Sequence, residues 1–225
     1  MTTLGALPFL LLVVIALPGL AALTGRRLRE MDAADISPRA VYLQTVLTQA
    51  VIAALGLLAL RVTGLTVELV GRITSSGVTA AAALVTGALA LSAWHRRLGK
   101  DSEKVAALLR PRSAHDRVLW MGALTVVAVA EEFAYRGVLF VLIRDLSGSG
   151  AVAAFSSAAA FGLAHLAQGW TGAALSGLFG LAFQAVAVLS GGLGLAIAAH
   201  FVYDLSVELI YGEGAAGRQG GKTAG

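Results

Sequence analysis

Long apolar stretches alternate with short polar loops along most of this chain of 225 residues, and this pattern constrains the fold most. A helix of about 20 apolar residues spans the hydrocarbon core of a bilayer, which is about 30 Å thick. Because an open sheet edge cannot satisfy its backbone groups in lipid, such runs are predicted to be helices. Seven of them can be drawn, at residues 4–23, 41–60, 78–94, 118–143, 151–166, 173–189 and 193–211. The sequence therefore predicts an all-α fold, a polytopic transmembrane helical bundle of about seven spans.

The composition supports a membrane protein and excludes several kinds of chemistry. Hydrophobic residues make up 57% of the chain and charged residues 13%, against about 25% charged in soluble domains. The absence of cysteine excludes disulfides, thiolate metal sites and a cysteine nucleophile. The net charge of +4 comes mainly from loops between apolar runs, so we expect contact with membrane lipid and no nucleic-acid partner.

The basic residues also predict an orientation. Of the 17 Lys and Arg residues, 13 lie in the first loop, the third loop and the tail, and only 3 lie in the loops on the opposite side. By the positive-inside rule this places the N-terminus outside and the C-terminus in the cytoplasm. The composition, rich in Ala, Gly and Arg, indicates a bacterial cytoplasmic membrane.

We predict one transmembrane domain at residues 1–211, whose motif-bearing part is 118–211. Residues 100–109 have the pattern of an amphipathic helix at the membrane surface. The polar, Gly-rich residues 212–225 are predicted to be a disordered cytoplasmic tail. Small residues crowd the last three apolar runs, which predicts close helix packing there.

Ionisable residues inside the apolar runs are the strongest sign of function. Each charge near the middle of a bilayer costs about 2.5 to 3.5 kcal/mol on insertion scales, so such residues must face one another or water. Run four, the end of run five and run seven contribute six of them: Glu131, Glu132, Arg136, His165, His200 and Asp204.

Their spacing predicts partners. Glu132 and Arg136 lie four residues apart on one helix face, which favours an ion pair. Glu131 points about 100° away from Glu132 and needs another partner. His200 and Asp204 are again four apart. Three ionised carboxylates against one Arg would leave two uncompensated negative charges, which protonated histidines, neutral acids or a divalent cation would each balance.

Two histidines and a free carboxylate are the groups needed to activate a water molecule. Glu131 can take the proton of the water while an imidazole holds the water or stabilises a developing oxyanion. The same groups also fit a metal bound by Glu131, His165 and His200 with one open position. No HExxH motif is present. The sequence leaves open whether a divalent metal such as zinc takes part.

Three motifs in this part of the chain resemble those of a known family. The run Glu131–Gly137 (EEFAYRG) resembles an EExxxR signature, Phe161 to His165 an FxxxH element, and His200 to Asp204 an HxxxN/D element. In this order they resemble the CPBP family, also called the Abi or type II CAAX prenyl endopeptidase family. The resemblance covers residues 131–204, and the first half of the chain is similar only in hydropathy.

The resemblance implies an intramembrane endopeptidase, of the metal-dependent or the glutamate type. It implies that Glu131 and His165 activate water, and that His200 with Asp204 stabilises the oxyanion. Glu132 and Arg136 would hold the site in shape. Because hydrolysis needs water, we expect the site in the inner half of the bilayer, open to the cytoplasm. A peptide or a membrane protein is the expected substrate.

Two other functions fit the same residues. A non-catalytic scaffold or bacteriocin-immunity protein could keep the fold without the chemistry. A proton-coupled transporter also uses buried Glu, His and Asp side chains, although the sequence has no inverted repeat of the kind found in many transporters.

Overall fold

A computed structural model describes residues 3–30, 37–98 and 111–211 of the chain. Within these ranges the chain forms seven helices and no strand. We number them α1 (3–30), α2 (Pro38–Thr63), α3 (Ser75–Leu98), α4 (114–147), α5 (Gly150–Ala164), α6 (Gly169–Ser190) and α7 (Gly194–Tyr211). A short 3₁₀ turn, Leu166–Gln168, connects α5 to α6. Each predicted apolar run corresponds to one helix, which confirms the all-α bundle.

Several of these helices have the length and composition of membrane spans. Four segments are long and apolar enough to cross a bilayer: Leu4–Leu28, Pro38–Thr63, Ser75–Trp94 and Leu166–Ser190. Gly150–Ala164 and Gly194–Val207 are apolar but shorter. The protein is therefore integral to a membrane. The predicted surface helix at 100–109 and the predicted tail at 212–225 lie outside the described residues.

Helices α4 and α5 form a hairpin whose ends are fixed by local chemistry. The Ser113 side chain accepts a hydrogen bond from the Asp116 backbone N–H and so caps the start of α4. Gly148 ends α4 in the left-handed conformation, with φ of +66°, which a residue with a Cβ rarely adopts. The Ser149 side chain then accepts from the Val152 N–H and begins α5. The two helices are therefore joined by a very short turn.

Helix α4 is not a regular α-helix throughout. Its middle part, Glu132–Leu139, is π-helical, and all eight residues of this segment are buried. Because π-helical hydrogen bonds span five residues rather than four, the helix is wider and successive side chains diverge less than in an α-helix. The sequence predicts an ordinary helix here, since the apolar pattern alone does not distinguish the two. The wider turn occurs where the helix is surrounded by the bundle on every side.

The core around this segment joins six of the described helices, α1, α2 and α4 to α7. Its largest apolar side chains include Phe9, Phe133, Leu139, Phe161 and Phe183. In addition, the Ser157 hydroxyl on α5 donates to the backbone carbonyl of Tyr135 on α4. The π-helical segment is thus held by packing and by a hydrogen bond from the neighbouring helix.

An ion pair joins α2 to α4 at the end of the bundle where the basic loops lie. The Arg39 Nε donates to Asp116 Oδ1 at 2.6 Å. This hydrogen bond holds the pKa of the Asp116 carboxyl below its usual value. Arg39 itself is exposed, so we treat the pair as a local link rather than a large contribution to stability.

Close packing of α5 on α6 agrees with the prediction from small residues. A Cβ added at Gly162 would lie 2.6 Å from the Ala173 carbonyl oxygen and 3.1 Å from the Gly177 Cα. These are backbone atoms, so neither can move away without shifting a helix. Gly162 therefore sets the distance between the two helices.

We expect the Gly162→Ala variant to be less stable than wild type by about 1 to 3 kcal/mol, because the added methyl group forces α5 and α6 apart. Thermal unfolding in detergent, followed by circular dichroism, measures this change. Gly122→Ala is the matched control, since a Cβ at Gly122 meets nothing within 4 Å. An equal unfolding midpoint for the two variants would contradict the role assigned to Gly162.

Candidate active site

A buried ion pair forms the base of the candidate site. Arg136 Nη1 lies 3.1 Å from Glu132 Oε1, and the two side chains are 2% and 0% exposed. The pairing predicted from their four-residue spacing is confirmed. Since removal of either partner would leave a buried charge without compensation, the two residues depend on each other.

Aromatic rings enclose the guanidinium of this pair. The Arg136 Cζ lies 4.0 Å from the centroid of the Phe161 ring and 5.3 Å from that of Phe183. Its Nε donates to the Gly180 carbonyl at 3.4 Å, a long hydrogen bond. Cation–π attraction is stronger when the cation is desolvated, as it is here. Helices α5 and α6 therefore position the charge that α4 contributes.

His200 on α7 is the second partner of Glu132. Its Nδ1 lies 2.8 Å from Glu132 Oε1, and its ring stacks on Phe183 at 4.9 Å between centroids. An ionised carboxylate can only accept, so we assign the proton of this bond to Nδ1. The other nitrogen, Nε2, lies 3.5 Å from Asp204 Oδ2 and 3.9 Å from Glu131 Oε2. The orientation of the ring is thus fixed mainly by Glu132, with Asp204 more distant.

Glu131 is the more accessible of the two adjacent glutamates. Its side chain is 14% exposed, whereas Glu132 is fully buried. One oxygen, Oε1, accepts a hydrogen bond from Gln49 Nε2 on α2 at 3.0 Å. The other, Oε2, faces His200 Nε2 across 3.9 Å, which is too long for a direct hydrogen bond. The sequence predicts that Glu131 needs a partner other than Arg136, and that partner is Gln49.

Gln49 is a partner of Glu131 that the pattern of charged residues in the sequence does not reveal. The available signal was a single amide in the middle of run 41–60, whose burial in lipid would be costly without a partner. Because Gln is uncharged and a second amide, Gln44, occurs in the same helix, the sequence does not single out Gln49. Only the fold shows that Gln49 is buried while Gln44 is exposed.

His165 approaches the cluster through Phe161. It follows the last residue of α5, and its Nδ1 lies 2.7 Å from the Phe161 carbonyl oxygen. If Nδ1 donates to that carbonyl, Nε2 is left as an acceptor in the neutral ring. The Phe161 ring lies 4.4 Å from the His165 ring and 6.4 Å from the His200 ring. His165 also lies within electrostatic range of Asp204, whose side chain is 25% exposed.

All six predicted residues therefore lie in one region of the bundle. Direct polar contacts connect five of them: Glu131, Glu132, Arg136, His200 and Asp204. The sixth, His165, joins them by ring contacts. Glu131, His165 and Asp204 are partly exposed, whereas Glu132, Arg136 and His200 are buried. The arrangement places acids and an imidazole at an accessible point above a fully buried ion pair.

The conditional metal ligands Glu131, His165 and His200 stay a prediction. In the part of the chain that the structure describes, no three His, Asp or Glu side chains are arranged to hold a metal ion. His200 uses Nδ1 for Glu132, and Glu131 uses one oxygen for Gln49, so His200 Nε2 and Glu131 Oε2 are the atoms of these two side chains that face each other.

Comparison with known families gives one match. The sequence model of the family described as type II CAAX prenyl endopeptidase Rce1-like matches residues 113–206. Residues 113–206 of this chain are similar to that family. The matched segment begins at the cap of α4, ends within α7 and contains all six predicted site residues. Gln49 and the first three helices lie outside it. No curated protein and no solved structure matches the chain.

Proposed function

We propose that the protein is an intramembrane endopeptidase that hydrolyses a peptide bond of a membrane-associated protein or peptide. The similarity of the matched segment to a CAAX endopeptidase family supports protease activity. The observation that carries the proposal is the position of Glu131. It is a partly accessible carboxylate with one oxygen held by Gln49 and the other directed towards His200 Nε2, beside a second acid.

The geometry favours Glu131 as the general base. A water molecule at Glu131 Oε2 would give a proton to the carboxylate while its oxygen attacks the carbonyl carbon of the substrate. The C–N bond then breaks, and the proton taken by Glu131 goes to the leaving amine. His165, half-buried and with one ring nitrogen engaged by Phe161, would help to hold the water. The chain supplies the groups that this reaction requires.

His200 and Asp204 would stabilise the tetrahedral intermediate. With Nδ1 donating to Glu132, His200 offers Nε2–H to the oxyanion when the ring is protonated. Asp204, 3.5 Å from Nε2, would restrain the ring on that side. Glu132 and Arg136 would hold the whole arrangement without touching substrate.

We place the reaction in the inner half of the cytoplasmic membrane of a bacterium, with the N-terminus outside and the C-terminus inside. The basic loops support this orientation. At 1.5 Å per residue α4 is about 50 Å long, so it extends beyond a hydrocarbon core of about 30 Å. Its first turns can therefore lie in the cytoplasm, which brings Glu131 closer in depth to His165 at the end of α5.

Comparison of new peptide termini in membranes tests the proposed function. Cells expressing wild-type protein are compared with cells expressing Glu131→Gln at matched levels, by mass spectrometry of protein termini. We expect a set of termini that appears only with wild type and that identifies the substrate. An identical set of termini from both strains under several growth conditions would contradict the proposal and favour a scaffold.

A further inference from the structure

Gln49 is a buried amide in a helix that spans the membrane. It is 7% exposed and lies on α2, outside the segment that matches the endopeptidase family. Its Nε2 donates to Glu131 Oε1 at 3.0 Å, across a sequence separation of 82 residues. This bond is the contact by which α2 reaches the carboxylate assigned as the general base.

The side-chain amide of Gln49 is not the best choice for the stability of the fold. Its carbonyl oxygen, Oε1, is buried and has no hydrogen-bond partner within the described ranges 3–30, 37–98 and 111–211. A buried acceptor without a partner opposes folding, and an apolar side chain of similar size would avoid that cost. Packing alone therefore does not account for an amide at this position. What an apolar side chain would lose is the N–H that donates to Glu131.

Because of the hydrogen bond from Gln49, the two oxygens of Glu131 have different surroundings. The terminal torsion of a glutamate is broad and roughly two-fold, so an unrestrained carboxylate can rotate. With Oε1 held by Gln49, Oε2 is left facing His200 Nε2 at 3.9 Å. The oxygen that faces His200 is therefore the one available to accept a proton from water.

We propose that Gln49 is a positioning residue for Glu131: it orients the carboxylate towards the reacting water. This inference rests on the proposed function for its catalytic consequence. The active site is then completed by α2, a helix that the family segment does not include.

Two variants of α2 test the proposal. Gln49→Met keeps the length and apolar volume of the side chain but removes the donor. Gln44→Met is the matched control, because Gln44 lies on the same helix and is exposed. Kinetics use a peptide that contains the cleavage site found by the comparison of termini. We expect Gln49→Met to lower kcat by about 10- to 100-fold with little change in KM, the range typical of a lost hydrogen bond to a charged group.

A second measurement does not depend on proteolysis. Infrared spectroscopy of the full-length protein in detergent, at one pH, records the carboxylate stretching bands, and the bands that disappear in Glu131→Gln belong to Glu131. Because these bands respond to a hydrogen bond on a carboxylate oxygen, we expect them to shift in Gln49→Met, whereas Gln44→Met should match wild type.

The outcomes separate the two proposals. Unchanged carboxylate bands in Gln49→Met overturn the action of Gln49 on Glu131, whatever the enzyme does. Shifted bands with unchanged kcat overturn its positioning role in catalysis. Shifted bands in a protein whose wild type cleaves nothing refute the endopeptidase function and leave only the contact between the two side chains.

Discussion

Purified Glu131→Gln protein is expected to hydrolyse its substrate about 10²- to 10⁴-fold more slowly than wild type, with its fold retained. General base catalysis contributes about 10² to 10⁴ to a rate, and an amide cannot accept the proton of the attacking water. The side-chain shape is unchanged, and the carbonyl oxygen of the new amide can still accept from Gln49 Nε2. The loss should therefore appear in kcat and not in stability.

The measurement needs a control for the same chemical change elsewhere in the chain. Glu68→Gln provides one, because Glu68 is an exposed glutamate in the loop between α2 and α3. We expect it to keep wild-type turnover. Steady-state hydrolysis of the identified peptide and thermal unfolding by circular dichroism are measured for both variants. Turnover of Glu131→Gln within a few-fold of wild type would remove Glu131 as the base and leave His165 or Asp204 to be tested in that role.

The fold could be predicted because the bilayer leaves few alternatives. Apolar runs of the right length must become helices in lipid, so hydropathy predicts both the fold class and the number of helices. The ion pair of Glu132 and Arg136 could also be predicted, since residues four apart share a face of any helix. Both inferences depend on local pattern, which a single sequence contains.

Contacts between distant residues could not be predicted in the same way. Glu132 and His200 are 68 residues apart, and no spacing rule connects them. The four-residue spacing of His200 and Asp204 favours a contact between them, yet the shorter contact of His200 is with Glu132. A local neighbour was available in the sequence, but the packing of α7 against α4 decides the geometry.

Tertiary packing also explains two other differences between the structure and the sequence-based predictions. Gln49 is recognisable as a partner of Glu131 only when α2 lies against α4. The π-helical segment Glu132–Leu139 depends on complete burial of eight successive residues, which an apolar run does not specify. The motifs therefore predict which residues belong to this site. The contacts that each residue makes can be read only from the tertiary structure.

Replacement of Arg136 is the change expected to damage the fold most. Arg136→Ala removes the charge next to Glu132, whose side chain is fully buried, and also empties the space between Phe161 and Phe183. Breaking a buried ion pair by removing one partner costs about 3 to 5 kcal/mol. Activity should fall as well, because Glu132 also orients His200. Thermal unfolding in detergent and hydrolysis of the identified peptide measure the two effects.

Two further variants identify the cause of this loss. Arg144→Ala is the matched control, since Arg144 is an exposed arginine later in α4, and it should change neither property. The double variant Glu132→Gln, Arg136→Met should be more stable than Arg136→Ala, because it no longer contains a buried charge without a partner. Its activity should remain low, since His200 then faces a neutral amide in place of the carboxylate. If the double variant is no more stable than Arg136→Ala, the unpaired charge of Glu132 is not the cause of the lower stability. The contacts of Arg136 with the rings of Phe161 and Phe183 then account for it.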